Sequence, residues 1–388
     1  AYLPLDDQVD VINSITDNEI DYILTEMEFD DMIDVLEELP ANVVDKIIGK
    51  ASREKRLLIN TFLNYPSDCA GSIMTPNYIS LGANFKVKDA LAYIKNVGMD
   101  SETIYTCYVK DPGRRLIGII SLRTLVVSDD ELLIRDIMRD DYVAVNVYDD
   151  QEAVSEVFKK YDFLAIPVVD KENRLVGIIT VDDILDVIEE ENTEDFERMA
   201  GILDASDKSY LDTGVLHNVK TRLPWILVLM VSSMLTGLII TKFEVVLSQV
   251  LVLVAYLPLL MGTGGNTGSQ ASTLVIRGMA LGEVEPSDAG KVLWKELRIS
   301  IGMGAVVSLL NFAKICLIDG ESLMIAFTVS LAILLVVIFA KVIGGMLPIA
   351  AKKIGIDPAL MATPMISSIT DMLSVVTYFL LATALLGL

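Results

Sequence analysis

The sequence is poor in the residues that carry metal-cluster and redox chemistry. Histidine occurs once, as His217, which excludes a histidine-cluster metal site and, because it lies outside the long apolar runs, leaves no Ser-His or Cys-His arrangement for an intramembrane enzyme. Cysteine occurs three times, as Cys69, Cys107 and Cys316, far apart and with no CxxC. Neither a disulfide framework nor a zinc site is expected, and a reducing compartment is. No signal peptide is visible, and the first long apolar run begins only after residue 220. The chain does not open on Met and starts inside a helical pattern, so residues are expected to be missing ahead of it.

Basic residues are scarce in one part of the chain only. Residues 1–215 hold 20 Lys+Arg against 45 Asp+Glu, whereas residues 216–388 hold 11 against 9. That division explains how 52% hydrophobic residues coexist with a net charge of −23. An acidic soluble part is joined to a near-neutral membrane part. Such acidity repels nucleic acid and anionic lipid and attracts cations, so no nucleic-acid partner is expected. Each acidic residue taken alone reads as solvated surface, but self-repulsion at this density loosens a compact domain unless something screens it.

The chain reads as multi-domain. Residues 1–70 carry apolar residues at three- and four-residue spacing, broken by short polar stretches and Pro40, as in stacked helix pairs left from an α-helical superhelix. Residues 71–190 repeat internally. "SIMTPNYISLGANFKVKDALAYIK" returns as "DIMRDDYVAVNVYDDQEAVSEVFKK", and "RRLIGIISLRTLV" returns as "NRLVGIITVDDIL". Each copy reads strand, helix, strand, turn, strand, helix. The arrangement resembles an α+β tandem pair of cystathionine-β-synthase-type (CBS) domains, at 71–137 and 138–190. An acidic, long connector helix follows at 191–220. Residues 221–388 form an all-α domain with five spans near the ~20 residues a bilayer needs, at 224–243, 246–276, 299–318, 322–350 and 358–387. Lys220, Arg222, Arg277, Lys291, Lys295, Arg298, Lys352 and Lys353 fall on one side, with Lys242 and Asp319–Glu321 on the other. Positive charge inside puts the N-terminal domains in the cytoplasm and the C-terminus outside, in a plasma (inner) membrane.

Two spans are unusually polar. In the second, "YLPLLMGTGGNTGSQAS", Pro258 and four glycines are expected to interrupt the helix beside Asn266, Thr267, Ser269 and Gln270. Pro258, Gly264, Gly265 and Thr267 are candidates for a pore lining, the alternative being close helix packing through small residues. In the fifth, Asp371 stands in a stripe with Thr363, Ser367, Thr370 and Ser374. Ser367 and Thr370 are lining candidates as well. Asp357, before Pro358, belongs at the cytoplasmic mouth, and Asp371 would lie roughly 21 Å further along one helix. Pro364 would free a backbone carbonyl. A polar stripe with one carboxylate suits a water-filled cation path, against the alternative of a hydrogen-bonded Asp tying helices together. An intramembrane aspartyl protease needs two membrane aspartates, and the chain offers one at depth. Lys314, late in the third span, can snorkel. Lys341, deep in the fourth, would oppose cation passage and is expected to face away from the pore.

The stretches "PLLMGTGGNTGSQASTLVIRGMALGEV", "LPIAAKKIGIDPALMATP" and "SSITDMLSVVTYF" resemble the membrane signatures of the MgtE family of magnesium channels. The order of helical N domain, CBS pair, connector and five spans matches too. The resemblance implies a homodimer in the lipid bilayer whose pore lies on the two-fold axis, lined by the second and fifth spans, with the family's pore aspartate at Asp371. Mg²⁺ dehydrates reluctantly, so two facing Asp371 carboxylates with Asn266 as an outer-shell partner suit it. The resemblance also implies that cytosolic carboxylates share Mg²⁺ and close the pore. The positions are Asp30 and Asp34 in the N domain, Glu152, Asp162, Asp183 and Asp186 in the second CBS copy, Glu191, Glu194 and Asp195 in the connector, and Asp357 at the mouth. CBS pairs often bind ATP or another adenine nucleotide. "GIITVDD" offers Thr180 for phosphate and Asp183 for ribose, with Gly177 at a turn. The expected function is a non-enzymatic Mg²⁺ channel opened at low cytosolic Mg²⁺. A coupled carrier of Mg²⁺, Co²⁺ or Mn²⁺, regulated by nucleotide at the CBS pair, is the competing expectation.

Overall fold

The computed structural model describes residues 24, 27–39, 41–202, 210–211, 213–243, 249–361 and 363–387. The chain divides into two units, Ala1–Glu191 and Asn192–Leu388. The expectation of a helical superhelix falls partly on residues 1–23, which lie outside the described set.

The first unit opens with three ten-residue helices, α1 (Phe29–Glu38), α2 (Ala41–Lys50) and α3 (Arg53–Phe62). Ser52 caps α3 by accepting a hydrogen bond from the Lys55 amide at 3.2 Å. Phe29, Met32, Ile33 and Leu36 recur at helical spacing and are buried in one cluster with Val154, Phe158, Ile166 and Ile179 of the second CBS copy. Burial of each such side chain is worth about 1.5–3 kcal/mol. A run of edge-to-face rings continues the contact, with centroids 4.8 Å apart for Phe29–Phe62, 5.9 Å for Phe62–Tyr65 and 6.2 Å for Tyr65–Tyr148.

The sequence repeat folds as a structural repeat. The first copy holds β1 (Tyr78–Gly82), α4 (Val87–Val97), β2 (Thr103–Lys110), β3 (Leu116–Ser121) and α5 (Leu122–Val127). The second holds β4 (Val145–Asn146), α6 (Gln151–Tyr161), β5 (Ala165–Val169), β6 (Leu175–Thr180) and α7 (Val181–Met199). Each sheet has three strands in sequence order, the first pair parallel and the second antiparallel. The segment that leads into each copy crosses to the other copy's last strand. Thr75 bridges Ile178, and Arg139 bridges Ile119. Gly118 and Gly177, equivalent in "LIGII" and "LVGII", make room for those crossings. A Cβ at Gly118 would sit 2.8 Å from the Arg139 carbonyl, and one at Gly177 would sit 2.7 Å from Met74 Sδ and 3.0 Å from the Thr75 carbonyl. Gly177 therefore lies inside β6 and packs there, rather than forming the expected turn.

α7 runs without interruption from the second CBS copy into the connector, so the expected boundary at 190/191 falls inside a helix. Among the described residues of the second unit, five helices are long and apolar enough to cross a membrane. They are α8 (Val215–Lys242), α9 (Leu257–Ala280), α10 (Ala289–Lys314), α11 (Leu323–Lys353) and α12 (Thr363–Leu386). α9, α11 and α12 bury the most and α8 and α10 the least. At one end Leu253, Tyr256, Ile333, Tyr378 and Phe379 form a core, and the Tyr378 hydroxyl donates to the Leu253 carbonyl at 3.0 Å. At the other end Val275, Met279 and Ile349 form a smaller one.

Two expectations about helix breaks do not hold. The glycines of α9 lie in a continuous helix, because Pro258 sits in its first turn, where a missing N–H costs nothing. Pro364 likewise occupies the first turn of α12 and frees no mid-span carbonyl. A separate 3₁₀ turn, Pro358–Met361, precedes α12, so Asp357 and Asp371 are not on one straight helix.

Gly177→Ala should destabilise the protein by about 1–3 kcal/mol through overpacking, read as a lowered transition of the first unit in a thermal melt. An unchanged melt would remove the close approach as the reason for glycine there.

Candidate functional site

The exposed face of α9 carries polar groups, with Leu259 and Leu274 exposed beside them. Pro258, Gly262, Asn266, Gln270, Thr273 and Arg277 are exposed and recur at three- to four-residue spacing. The opposite face is packed. A Cβ at Gly264 would lie 2.7 Å from Ser374 Oγ, one at Gly265 would lie 3.1 Å from Ser367 Oγ, and Gly268 abuts Ile366 and the Ala340 carbonyl. Four expected lining residues therefore belong to the packed seam. Gly264, Gly265, Thr267 and Thr370 are buried, because only a residue without a long side chain lets α9 reach α11 and α12. Pro258 and Asn266 stay on the open face, and Ser367 is half-buried.

Asp371 lies eight residues into α12, about 12 Å along its axis. It is half-buried, and among the described residues no hydrogen bond or ion pair reaches it. Two of its hydroxyl neighbours are turned to the backbone. Thr370 Oγ1 donates to the Ile366 carbonyl at 2.9 Å, and Ser374 Oγ donates to the Thr370 carbonyl at 2.6 Å. The Ser272 hydroxyl of α9 donates to the Met361 carbonyl at 3.0 Å, which ties the turn before α12 to α9.

Asp357 sits at the start of that turn. Arg198, near the end of α7, donates from Nη1 to Asp357 Oδ2 at 2.7 Å and also pairs with Glu194. Burial and the nearby Asp357 raise the Asp195 carboxyl, opposed by Arg198 and Arg277. Of the expected sensor residues, Glu194, Asp195 and Asp357 thus converge, with an arginine among them that linear reading did not assign.

In the first unit a second group converges. One carboxylate oxygen from each of Glu28, Asp30 and Glu102 lies within 4.8 Å of the others. Burial first, then Asp30, Glu28, Asp183 and Asp182, push the Glu102 carboxyl up to about 7. Burial, Asp30 and Asp182 push Asp183 up to about 6 against the hydrogen bond from Thr180 Oγ1 at 2.5 Å. Burial and Glu37, Asp30, Asp31 and Asp183 push Asp34 to about 7, although Asp34 keeps an exposed edge where solvent screens it. Asp30, Asp34 and Asp183 are thus brought together. Glu191 accepts from Gln151 Nε2 at 2.8 Å, Asp186 is exposed, and Glu152 and Asp162 stand at opposite ends of α6. Glu28 and Glu102 were missed because they lie outside any motif and meet only when the N domain folds onto the CBS pair.

The chain matches the model of a divalent cation transporter over residues 257–381, that of the MgtE intracellular N domain over 1–68, and that of the CBS domain over 70–129 and 134–190. It is 38% identical over 331 residues to the magnesium transporter MgtE of Thermus thermophilus, covering 85% of this chain and 73% of that protein. The chain belongs to the MgtE family of magnesium transporters. The MgtE of Enterococcus faecalis is 36% identical, over 84% of this chain and 70% of its own. A crystal structure described as the cytosolic domain of the Mg²⁺ channel MgtE in complex with ATP superposes with a TM-score of 0.46 at 35% identity, covering 48% of this chain and 76% of that one. Within this MgtE chain, the membrane family match spans the α9 seam, the Asp357 turn and Asp371 together.

The raised carboxyls have a consequence for stability. They titrate higher folded than unfolded, so between about pH 4 and pH 7 the folded unit binds more protons than the unfolded chain. In chelator, the stability of the first unit should therefore fall as pH rises through that window. Glu102→Gln should flatten the fall, and a Glu102→Gln melt profile that tracks wild type across pH would contradict the crowding.

Proposed function

We propose that this MgtE-family protein conducts Mg²⁺ through a pore between two copies of the chain, lined by the open face of α9 and by Asp371 of α12. The observation that carries the reading is Asp371, half-buried in a membrane helix with no partner among the described residues. A carboxylate there costs about 2.5–3.5 kcal/mol at a helix centre. A hydrated cation shared by two Asp371 side chains offsets that cost without stripping the waters Mg²⁺ holds. Asn266 and Gln270 supply oxygens to the water shell. With the basic ends of α8, α9, α10 and α11 on the cytoplasmic side, the C-terminus lies outside.

Closure follows as linkage. Mg²⁺ takes the place of protons among Glu28, Asp30, Asp34, Glu102 and Asp183, relieving their repulsion. It joins Asp186, Glu191, Glu194, Asp195 and Asp357 in holding the connector at the mouth, with Glu152 and Asp162 completing the sensor surface. The ion favours the closed state by its higher affinity for it. We further assign adenine nucleotide to Thr180 and Asp183 of the CBS pair. Because Asp183 also belongs to the acidic group, nucleotide and Mg²⁺ act on one carboxylate.

Asp371→Ala should reduce Mg²⁺ flux in proteoliposomes by at least about tenfold, with the assembly intact by size-exclusion chromatography. Wild-type flux would refute the pore role. Neutralising Asp30, Asp183, Glu194 and Asp195 together should leave single-channel currents that persist at high cytosolic Mg²⁺. Closure at the wild-type concentration would sink the sensor reading, and flux that saturates and needs a counter-ion would replace the channel with a carrier.

A further inference from the structure

Two charged side chains meet inside the membrane helices, away from the open face of α9. Lys341 of α11 is 4% exposed and Glu296 of α10 is 6% exposed. Lys341 Nζ lies 3.8 Å from Glu296 Oε2, within ion-pair range and beyond hydrogen-bond range. Glu296 Oε2 is buried and has no hydrogen-bond partner among the described residues. Such a pair is weak evidence for stability, because dehydrating both charges can exceed their attraction. Buried ionisable groups in membrane helices are expensive enough that a functional reason is the default expectation.

The surroundings supply one. α11 carries three different contacts within two turns. Lys341 reaches α10 through Glu296. Gly345, one turn on, lies so close to α10 that a Cβ would stand 3.1 Å from Glu296 Cγ. Gly344, beside it, abuts the Gly268 backbone of α9, leaving no space for any side chain. Pro348 then follows inside the same helix and offers no N–H to the Gly344 carbonyl. The backbone of α11 is therefore weakest where it touches α9, and the Lys341–Glu296 attraction acts one turn before that point.

We propose that Lys341 and Glu296 are a positioning pair for conduction. Their attraction fixes the rotation of α11 about its own axis at the proline-weakened turn. It thereby fixes the seat of Gly268 on Gly344 and the direction in which α9 presents Asn266. A rotation of α11 would carry Lys341 off Glu296 and Gly344 off Gly268 together, since both lie on one short stretch of helix. The pair acts on the ion only through α9, so the inference rests on α9 lining the pore. Loss of flux in Asp371→Ala tests that reading separately.

The test uses the full chain in proteoliposomes, with flux divided by the amount of folded assembly, and the ratio of Mg²⁺ to Ca²⁺ flux as a second readout. That ratio does not depend on how much protein folds. Lys341→Met and Glu296→Gln should each lower Mg²⁺ flux at least about fivefold and shift the ratio. The exchanged pair, Lys341→Glu with Glu296→Lys, should recover both to within about twofold. Unchanged flux and ratio in the single variants would overturn the proposal. If the single variants do not fold, the double variant Lys341→Met with Glu296→Met removes both charges and keeps the volume. A shifted ratio in it supports the positioning role. Wild-type flux and ratio in it would show that the charges do no positioning, and would also overturn the proposal.

Discussion

A carboxylate in hydrocarbon has to be given water, a cation or a hydrogen-bond donor, and Asp371 has no protein donor among the described residues. The arrangement of the membrane helices answers to that one requirement. Two of the hydroxyls nearest in sequence, on Thr370 and Ser374, are satisfied by their own helix backbone and do not reach Asp371. The polar groups of α9 stand on a face that its own chain leaves open. The water-filled cation path that we propose would satisfy both at once.

The same electrostatic problem recurs outside the membrane with a different geometry. Glu28, Asp30 and Glu102 crowd their oxygens within 4.8 Å, and burial raises the Glu102 carboxyl and that of nearby Asp183 into the neutral range. Near neutral pH such a group is poised between holding protons and holding a cation. In the second unit Arg198 neutralises Asp357 directly. A fixed guanidinium there, and the exchangeable Mg²⁺ we propose among the acidic group of the first unit, are two solutions to one excess of negative charge.

Small residues determine how close the helices come. Gly264, Gly265 and Gly268 of α9 meet side chains of α12 with little or no room for a Cβ, Gly344 of α11 meets the α9 backbone with none, and in the CBS pair Gly118 and Gly177 make room for crossing strands. Read linearly, the glycine run of α9 suggests a broken helix. In three dimensions it is an intact helix with one face used up in packing, because glycine at a tight interface relieves steric conflict without unwinding the backbone. The expected pore lining accordingly divides, with Asn266 and Pro258 left open and Gly264, Gly265, Thr267 and Thr370 enclosed.

Properties that depend on local pattern were legible from the residues alone. Five spans, the tandem repeat, the acidic first part and the exceptional position of Asp371 follow from hydropathy, periodicity and charge, which act over neighbouring residues. Tertiary structure decided everything that depends on which residues meet across long separations. Glu102 joins Glu28 and Asp30 only because the apolar face of α1 buries against the second CBS copy. Lys341 is buried against Glu296, which lies 45 positions earlier on another helix. No spacing rule links such positions, because their distance is set by helix packing and not by the chain between them.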